Sequence, residues 1–177
     1  TYVVFRGTDA SAVGWAEDAR FVLDFPTDSQ QWAANYLAYA ASRAAGPIVV
    51  VGHSKGANLA LYAAAAATPP IVDGVYAFDP LGFPGPVIDG GFFRGINGRM
   101  RIYVTAGSWV CPLLPLPAPT TVVASGWPGP LSHNPYAWCL EGASLELDGR
   151  KPSRSGRVLR SVLLAFLRSR PTRIGTI

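Results

Sequence analysis

The chain has 177 residues, 49% hydrophobic and 15% charged, which excludes a disordered protein and is typical of one globular domain. No run approaches 18 consecutive apolar residues, so no membrane span is predicted. Residues 1–149 carry seven Lys/Arg and eleven Asp/Glu, whereas residues 150–177 carry eight Lys/Arg and no acid. We therefore predict a mildly acidic core over 1–149, which argues against nucleic-acid binding, and a basic C-terminal helix or tail over 150–177.

The chain begins at Thr1, already in a strand-like run, with no methionine and no signal-peptide pattern. We therefore predict a processed or partial chain that lacks N-terminal strands. Because the sequence shows neither a signal peptide nor a membrane span, we favour a cytoplasmic or membrane-peripheral protein. Residues 2–5 form a buried strand that ends in RGTD. The amide of Thr8 is a candidate oxyanion donor at the carboxyl edge of a sheet, and the alternative is that Thr8 only caps the following helix or turn.

A helix is predicted from about residue 28 to 45, with Trp32, Tyr36 and Leu37 at a spacing that would pack them on the sheet. It leads into an apolar strand over 48–51, and a right-handed connection makes the two strands parallel. The pattern then changes within about four residues to small apolar residues at helical spacing. Between strand and helix lies GHSKG (52–56), a G-x-S-x-G turn that would expose the Ser54 hydroxyl above the sheet edge.

Three later segments bear on this edge. A strand over 75–78 ends at Asp79, which could orient a histidine or could only cap a turn. Another strand, 100–105, runs into Ser108 with no carboxylate nearby. The apolar segment 109–119 could form an acyl-chain wall or lid, or could pack against a missing N-terminal part.

The chain contains two histidines. His53 is next to Ser54 on a strained turn, so we expect its side chain to point away from the hydroxyl and fill space under the turn. A further strand is predicted over 120–124, and that leaves His133, in the loop after it, as the candidate general base. Cys111 and Cys139 show no metal or framework spacing and are predicted to be unpaired.

The stretches YVVFRGTD (2–9) and VVGHSKGANLA (50–60), with the His133 loop, resemble the class 3, fungal-type lipase group of α/β-hydrolases, and most closely its uncharacterised bacterial lipase-like members. The resemblance implies a mainly parallel sheet with helices on both faces. It also implies oxyanion donors at Thr8 and Lys55 and the chain order Ser54, Asp79, His133 for the triad. The family's acid usually follows the next strand, near Ser108, so Asp79 is a departure.

We hold Asp89 in reserve as the triad acid. Lys55 stands where such lipases carry leucine, which could shift the substrate preference away from long acyl chains.

The predicted function is hydrolysis of carboxylic esters through an acyl-enzyme on Ser54, with a small-molecule or lipid ester as substrate and no metal or organic cofactor. The alternatives are acyl transfer at the same site and a non-catalytic interaction domain on a hydrolase scaffold.

The tail carries an apolar stripe at helical spacing, surrounded by arginines. We expect a terminal helix packed on the core. The alternative is a peripheral contact with an anionic membrane surface, which would bring the site to a lipid substrate.

Overall fold

The computed structural model describes residues 1–8, 20–22, 24–68, 71–150 and 161. One sheet forms its centre, and every neighbouring pair of strands in this sheet is parallel. The strands follow each other across the sheet in chain order: β1 (Tyr2–Phe5), β2 (Val49–His53), β3 (Gly74–Phe78), β4 (Met100–Thr105) and β5 (Thr120–Val123). All five carboxyl ends therefore meet at one edge. The predicted α/β-hydrolase-type fold with a mainly parallel sheet is confirmed, whereas helices on both faces of the sheet stay a prediction that the described residues support for one face.

Among the described residues, the α-helices with both ends defined are α1 (Asp28–Ala41), α2 (Lys55–Ala66) and α3 (Gly85–Asp89). α1 begins with a capping box, in which Thr27 and Gln30 each accept a hydrogen bond from the other's backbone amide. α2 packs on β1, β2 and β3 and also against α1. Right-handed connections between neighbouring parallel strands place these two helices on one face. On the opposite face, Tyr2 and Val4 of β1 are exposed, so the described residues show long helices on one side of the sheet.

One prediction for α1 is wrong. Leu37 is buried against the core, and the Tyr36 ring, although partly exposed, meets the Phe5 ring of β1 edge-on at 6.1 Å between centroids. Trp32 is exposed, and Ala33 is buried in its place. In an alanine-rich helix the small residues can form the packing face, so the periodicity of the large residues alone does not decide which face is buried.

The chain beyond β5 returns along the edge of the sheet. It forms short 3-10 turns at Gly129–His133 and Pro135–Ala137 and a small antiparallel hairpin of β6 (Leu140–Glu141) and β7 (Ser144–Leu145). The amides of Ala124 and Asp148 donate to the carbonyls of Glu146 and Val122, respectively, which fixes the returning chain beside β5.

The apolar segment 109–119 packs into the core of this chain. Val110, Cys111, Leu113 and Leu114 are buried, and the Pro115 carbonyl accepts a hydrogen bond from the Phe83 amide. Cys111 and Cys139 are both free, as predicted. Burial, and then the charge of Asp79, raises the pKa of the Cys111 thiol to about 12.

The predicted terminal helix lies almost wholly outside the described residues, since Arg150 and Ser161 are its only described members. The division at residue 149 and the packing of the tail remain predictions. Within the described ranges, no helix has the length and apolar character needed to cross a membrane.

Candidate active site

The turn after β2 has the backbone that G-x-S-x-G predicts. Ser54 has φ 57° and ψ −125°, a strained conformation for a residue with a side chain. A Cβ at Gly52 would lie 2.1 Å from the Gly56 carbonyl oxygen, and a Cβ at Gly56 would lie 2.2 Å from the Phe5 carbonyl oxygen. Both contacts are with backbone that cannot swing aside, so only glycine fits at either position. The Ser54 amide donates to the Phe78 carbonyl at 2.9 Å, which fixes the turn at the carboxyl edge of β3.

Three predicted site residues form a hydrogen-bonded chain at this edge. The Ser54 hydroxyl lies 3.0 Å from His133 Nε2, and His133 Nδ1 lies 2.7 Å from Asp79 Oδ2. A carboxylate can only accept, so Nδ1 carries the proton and Nε2 is left as the acceptor for the Ser54 hydroxyl. The structure thus brings together Ser54, His133 and Asp79 from three separate segments, in the geometry that nucleophile activation requires.

Asp79 follows β3 directly and is fully buried. Its φ of 46° is a left-handed conformation that aspartate tolerates better than most residues, and its amide donates to the Tyr103 carbonyl at 2.7 Å. Oδ1 has no hydrogen-bond partner among the described residues, so the side chain's hydrogen bonding is directed to His133.

The reserve acid, Asp89, is exposed at the end of α3, while Asp79 occupies the position next to His133. Ser108 lies near the position where the resemblance to the lipase group would put the acid. It is buried and accepts a hydrogen bond from the Cys111 amide, so it stabilises a turn.

The loop that carries His133 is held by its neighbour. Ser132 is buried, and its hydroxyl lies 2.7 Å from the Thr105 hydroxyl at the end of β4. The Trp138 indole donates to the Ser132 carbonyl at 2.9 Å. A Cβ at Gly107 would lie 2.8 Å from the Ser132 hydroxyl, so the loop sits directly on the chain that leaves β4.

A second buried network holds the chain beyond Asp79. Asn58, one turn after Ser54 on α2, donates from Nδ2 to the carbonyls of Leu81 and Gly82, each at 2.9 Å. Its Oδ1 accepts from Gln30 Nε2 at 2.8 Å. All polar atoms of the Asn58 amide group have partners, as a fully buried amide requires. This role was not predicted from the sequence, although an asparagine inside the apolar run of α2 was an available signal.

His53 has a more specific position than the sequence suggested. Its side chain is half-buried and its Nε2 lies 2.8 Å from the His133 carbonyl oxygen, with the two ring centroids 4.7 Å apart. Burial, followed by the charge of His133, lowers the pKa of His53, while the hydrogen bond and the charge of Asp79 act in the opposite direction. On another side of His133, the Trp109 ring approaches edge-on at 6.2 Å between centroids.

The two predicted oxyanion donors lie on segments that border Ser54. A Cβ at Gly7 would be 3.5 Å from Ser54 Cβ, so the turn carrying Thr8 passes beside the hydroxyl. Lys55 is the first residue of α2, at the end of the helix whose dipole favours negative charge. Their role as donors stays a prediction.

The model of the Mbeg1-like family matches residues 1–173. The chain belongs to the Mbeg1-like family. The finer assignment to the class 3 lipase group stays a prediction, as do the catalytic roles of the site residues.

No curated protein matches the chain. Among solved structures, the chain is similar to a YdeN-like candidate hydrolase from Pectobacterium atrosepticum, at 22% identity and a TM-score of 0.32. The match covers 71% of this chain and 63% of that protein. A likeness this loose carries no conclusion about activity. In the described ranges, no three or more His, Cys, Asp or Glu side chains gather where they could hold a metal ion.

Proposed function

We propose that this Mbeg1-like protein is a serine hydrolase that cleaves carboxylic esters through a covalent acyl-enzyme on Ser54. The observation that carries the proposal is the 3.0 Å hydrogen bond between the Ser54 hydroxyl and His133 Nε2. The hydroxyl stands on a strained turn at the ligand-binding edge of a parallel sheet, with an imidazole base in place and a buried carboxylate behind it. A serine on an ordinary surface turn needs none of these three features.

Acylation follows from the positions of these atoms. Ser54 Oγ attacks the ester carbonyl carbon as its proton passes to His133 Nε2, and Asp79 stabilises the imidazolium that forms. The tetrahedral oxyanion would be bound by the backbone amides of Thr8 and Lys55, each of which contributes about 3 kcal/mol of transition-state stabilisation. The intermediate then collapses, and the alcohol leaves with the proton held by His133.

Deacylation repeats these steps with water. His133 removes a proton from the water as its oxygen attacks the acyl carbon, and the carboxylic acid leaves as Ser54 Oγ recovers the proton. Acyl transfer would differ only in the final acceptor, an alcohol in place of water.

The decisive test compares Ser54→Ala with Ser42→Ala. Ser42 is exposed at the end of α1 and serves as the matched control. We expect nitrophenyl esters of two to twelve acyl carbons to be hydrolysed by the unchanged protein and by Ser42→Ala. Ser54→Ala should lose at least about 10³-fold in kcat. A fluorophosphonate probe should label Ser54 in the same two active proteins, and mass spectrometry locates the adduct.

Failure of well-folded protein to turn over any ester or to react with the probe would overturn the proposal and favour an interaction domain. Turnover that survives in Ser54→Ala would overturn it as well. The chain-length series measures the preferred acyl length in the same experiment.

The acid is tested separately by Asp79→Asn against Asp89→Asn. An amide at position 79 can donate to His133 and so favours the wrong imidazole tautomer, and we expect kcat to fall by about 10³- to 10⁴-fold. Asp89→Asn changes an exposed carboxylate at the end of α3 and should leave kcat unchanged. Equal activity of the two variants would contradict the assignment of Asp79.

A further inference from the structure

The side chain of His53 bridges the nucleophile's own strand and the base-bearing loop. It ends β2 immediately before Ser54, yet its Nε2 contacts the backbone carbonyl of His133, 80 residues along the chain, at 2.8 Å. A carbonyl oxygen only accepts hydrogen bonds, so Nε2 of His53 must carry a proton. The His133 residue is therefore held at both ends: its imidazole contacts Ser54 and Asp79, and its carbonyl contacts His53.

His53 also borders the turn that follows β1. A Cβ at Gly7 would lie 3.0 Å from the His53 carbonyl oxygen and 3.7 Å from His53 Nδ1. The turn with Thr8, the Ser54 turn (52–56) and the His133 loop (129–133) thus meet around the His53 side chain. A change in the size or hydrogen bonding of His53 would alter the packing of all three segments.

The charge state of His53 suits this position. Its lowered pKa, caused by burial and then by the charge of His133, favours a neutral ring with a single proton. The reaction would place a positive charge on His133, whose ring centroid is 4.7 Å away. A neutral neighbour avoids the like-charge repulsion that a second imidazolium would cause, and it can still donate its Nε2–H to the carbonyl.

We propose that His53 is a positioning residue: by donating Nε2–H to the His133 carbonyl, it holds the His133 imidazole against the Ser54 hydroxyl. The inference rests on the proposed function of Ser54 and His133. His133 ends a 3-10 segment of five residues that starts at Gly129 with φ 55°. Apart from the bonds of the His133 imidazole to Asp79 and Ser54, the other hydrogen bonds described above for that segment act through Ser132. The bond from His53 acts on the base residue itself.

Two substitutions separate this bond from simple space filling. In His53→Gln the amide nitrogen lies at about the distance of imidazole Nε2 and can still donate to the carbonyl. In His53→Asn the amide nitrogen lies near the place of Nδ1, short of the carbonyl. We expect His53→Gln to keep kcat within about 3-fold, and His53→Asn to lose about 10- to 100-fold in kcat with KM little changed.

Thermal denaturation of both variants serves as the stability control. Equal kcat values for folded His53→Asn and His53→Gln would overturn the proposal, because the position of the donor would then be irrelevant. A loss confined to KM would overturn it too, since a misplaced base slows the chemical step.

A measurement without substrate separates this proposal from the proposed function. With two histidines in the chain, two-bond ¹H–¹⁵N correlation spectra resolve each imidazole and report its tautomer. We expect His53 as the Nε2–H tautomer and His133 as the Nδ1–H tautomer, with the His133 signals shifted or broadened in His53→Asn and retained in His53→Gln. An Nδ1–H tautomer for His53, or unchanged His133 signals in His53→Asn, would overturn the positioning role even if the protein hydrolyses no ester.

Discussion

The nucleophile turn and the base loop reach the same site by different means. The turn is five consecutive residues, 52–56, and its shape follows from two glycines that face backbone oxygens at 2.1 and 2.2 Å. The loop over 129–133 is held by hydrogen bonds from His53, Thr105 and Trp138. Steric exclusion therefore specifies the position of Ser54, the proposed nucleophile, and polar contacts between distant segments specify the position of His133, the proposed base. We expect a substitution at either glycine of the turn to cause a large loss of stability. A substitution that removes one hydrogen bond of the loop should cause a partial loss.

The largest effect is expected from Gly56→Ala. The new Cβ would lie 2.2 Å from the Phe5 carbonyl oxygen and 2.7 Å from the Arg6 carbonyl carbon, so β1 and α2 would have to separate. We expect a loss of unfolding free energy above the 1–3 kcal/mol that is typical for an overpacked core, about 3 kcal/mol or more, measured by urea denaturation. Gly46→Ala, where no atom lies within 4 Å of the new Cβ, is the matched control. A Gly56→Ala protein as stable as Gly46→Ala would show that the turn tolerates displacement.

A smaller effect is expected from breaking the Thr105–Ser132 bond. Ser132→Ala removes one of two buried hydroxyls 2.7 Å apart and should lower the unfolding free energy by about 1–3 kcal/mol. Because the loop then holds His133 less firmly, kcat should fall by about 10-fold. Thr105→Val and the double variant complete a double-mutant cycle. Purely additive losses would mean that the two hydroxyls do not stabilise each other.

The smallest effect is a pH dependence of stability from His53. Its pKa is lowered in the folded protein, by burial first and by the charge of His133 next. Below the usual histidine pKa of about 6.5, the unfolded chain thus binds more protons than the folded one, and stability falls as the pH falls. Asp79 and His133, the charged groups that face His53, remain in His53→Gln. We expect the unfolding free energy of the unchanged protein to fall more steeply than that of His53→Gln between pH 7.5 and 5.5. A steeper fall in the variant would contradict this direction.

The fold and the nucleophile turn were the most predictable parts, because both are encoded in contiguous residues. Apolar runs at 2–5, 48–51, 75–78 and 100–105 predicted the parallel strands, and GHSKG predicted the strained turn at Ser54. The catalytic roles remain predictions, yet the expectation that Asp79 and His133 would lie near Ser54 agrees with the contacts observed. Asp79, and not Asp89, contacts His133 because Asp79 directly follows β3, whose carboxyl end reaches the sheet edge where His133 lies.

What the sequence did not predict depends on partners far apart in the chain. Ser132 beside His133 carries no pattern that would pair it with Thr105, and the contact of His53 with the His133 carbonyl needs the three-dimensional path of the loop. The burial of Ala33 in place of Trp32 has a similar origin, since the neighbouring helix α2 selects the face of α1 that packs. Periodicity and local motifs do not contain this information.

The burial of Asp79 restricts how substrate can enter. Its carboxylate is fully enclosed, and its hydrogen bond to the His133 ring is the only one that its side chain makes to the described residues. If the His133 loop moved outward, the buried Asp79 carboxylate would lose its hydrogen-bond partner, at a cost of about 3–5 kcal/mol. We therefore expect the His133 loop (129–133) to keep its position through every turnover and not to open for substrate entry. Substrate must reach the Ser54 hydroxyl by a route that leaves the imidazole in place.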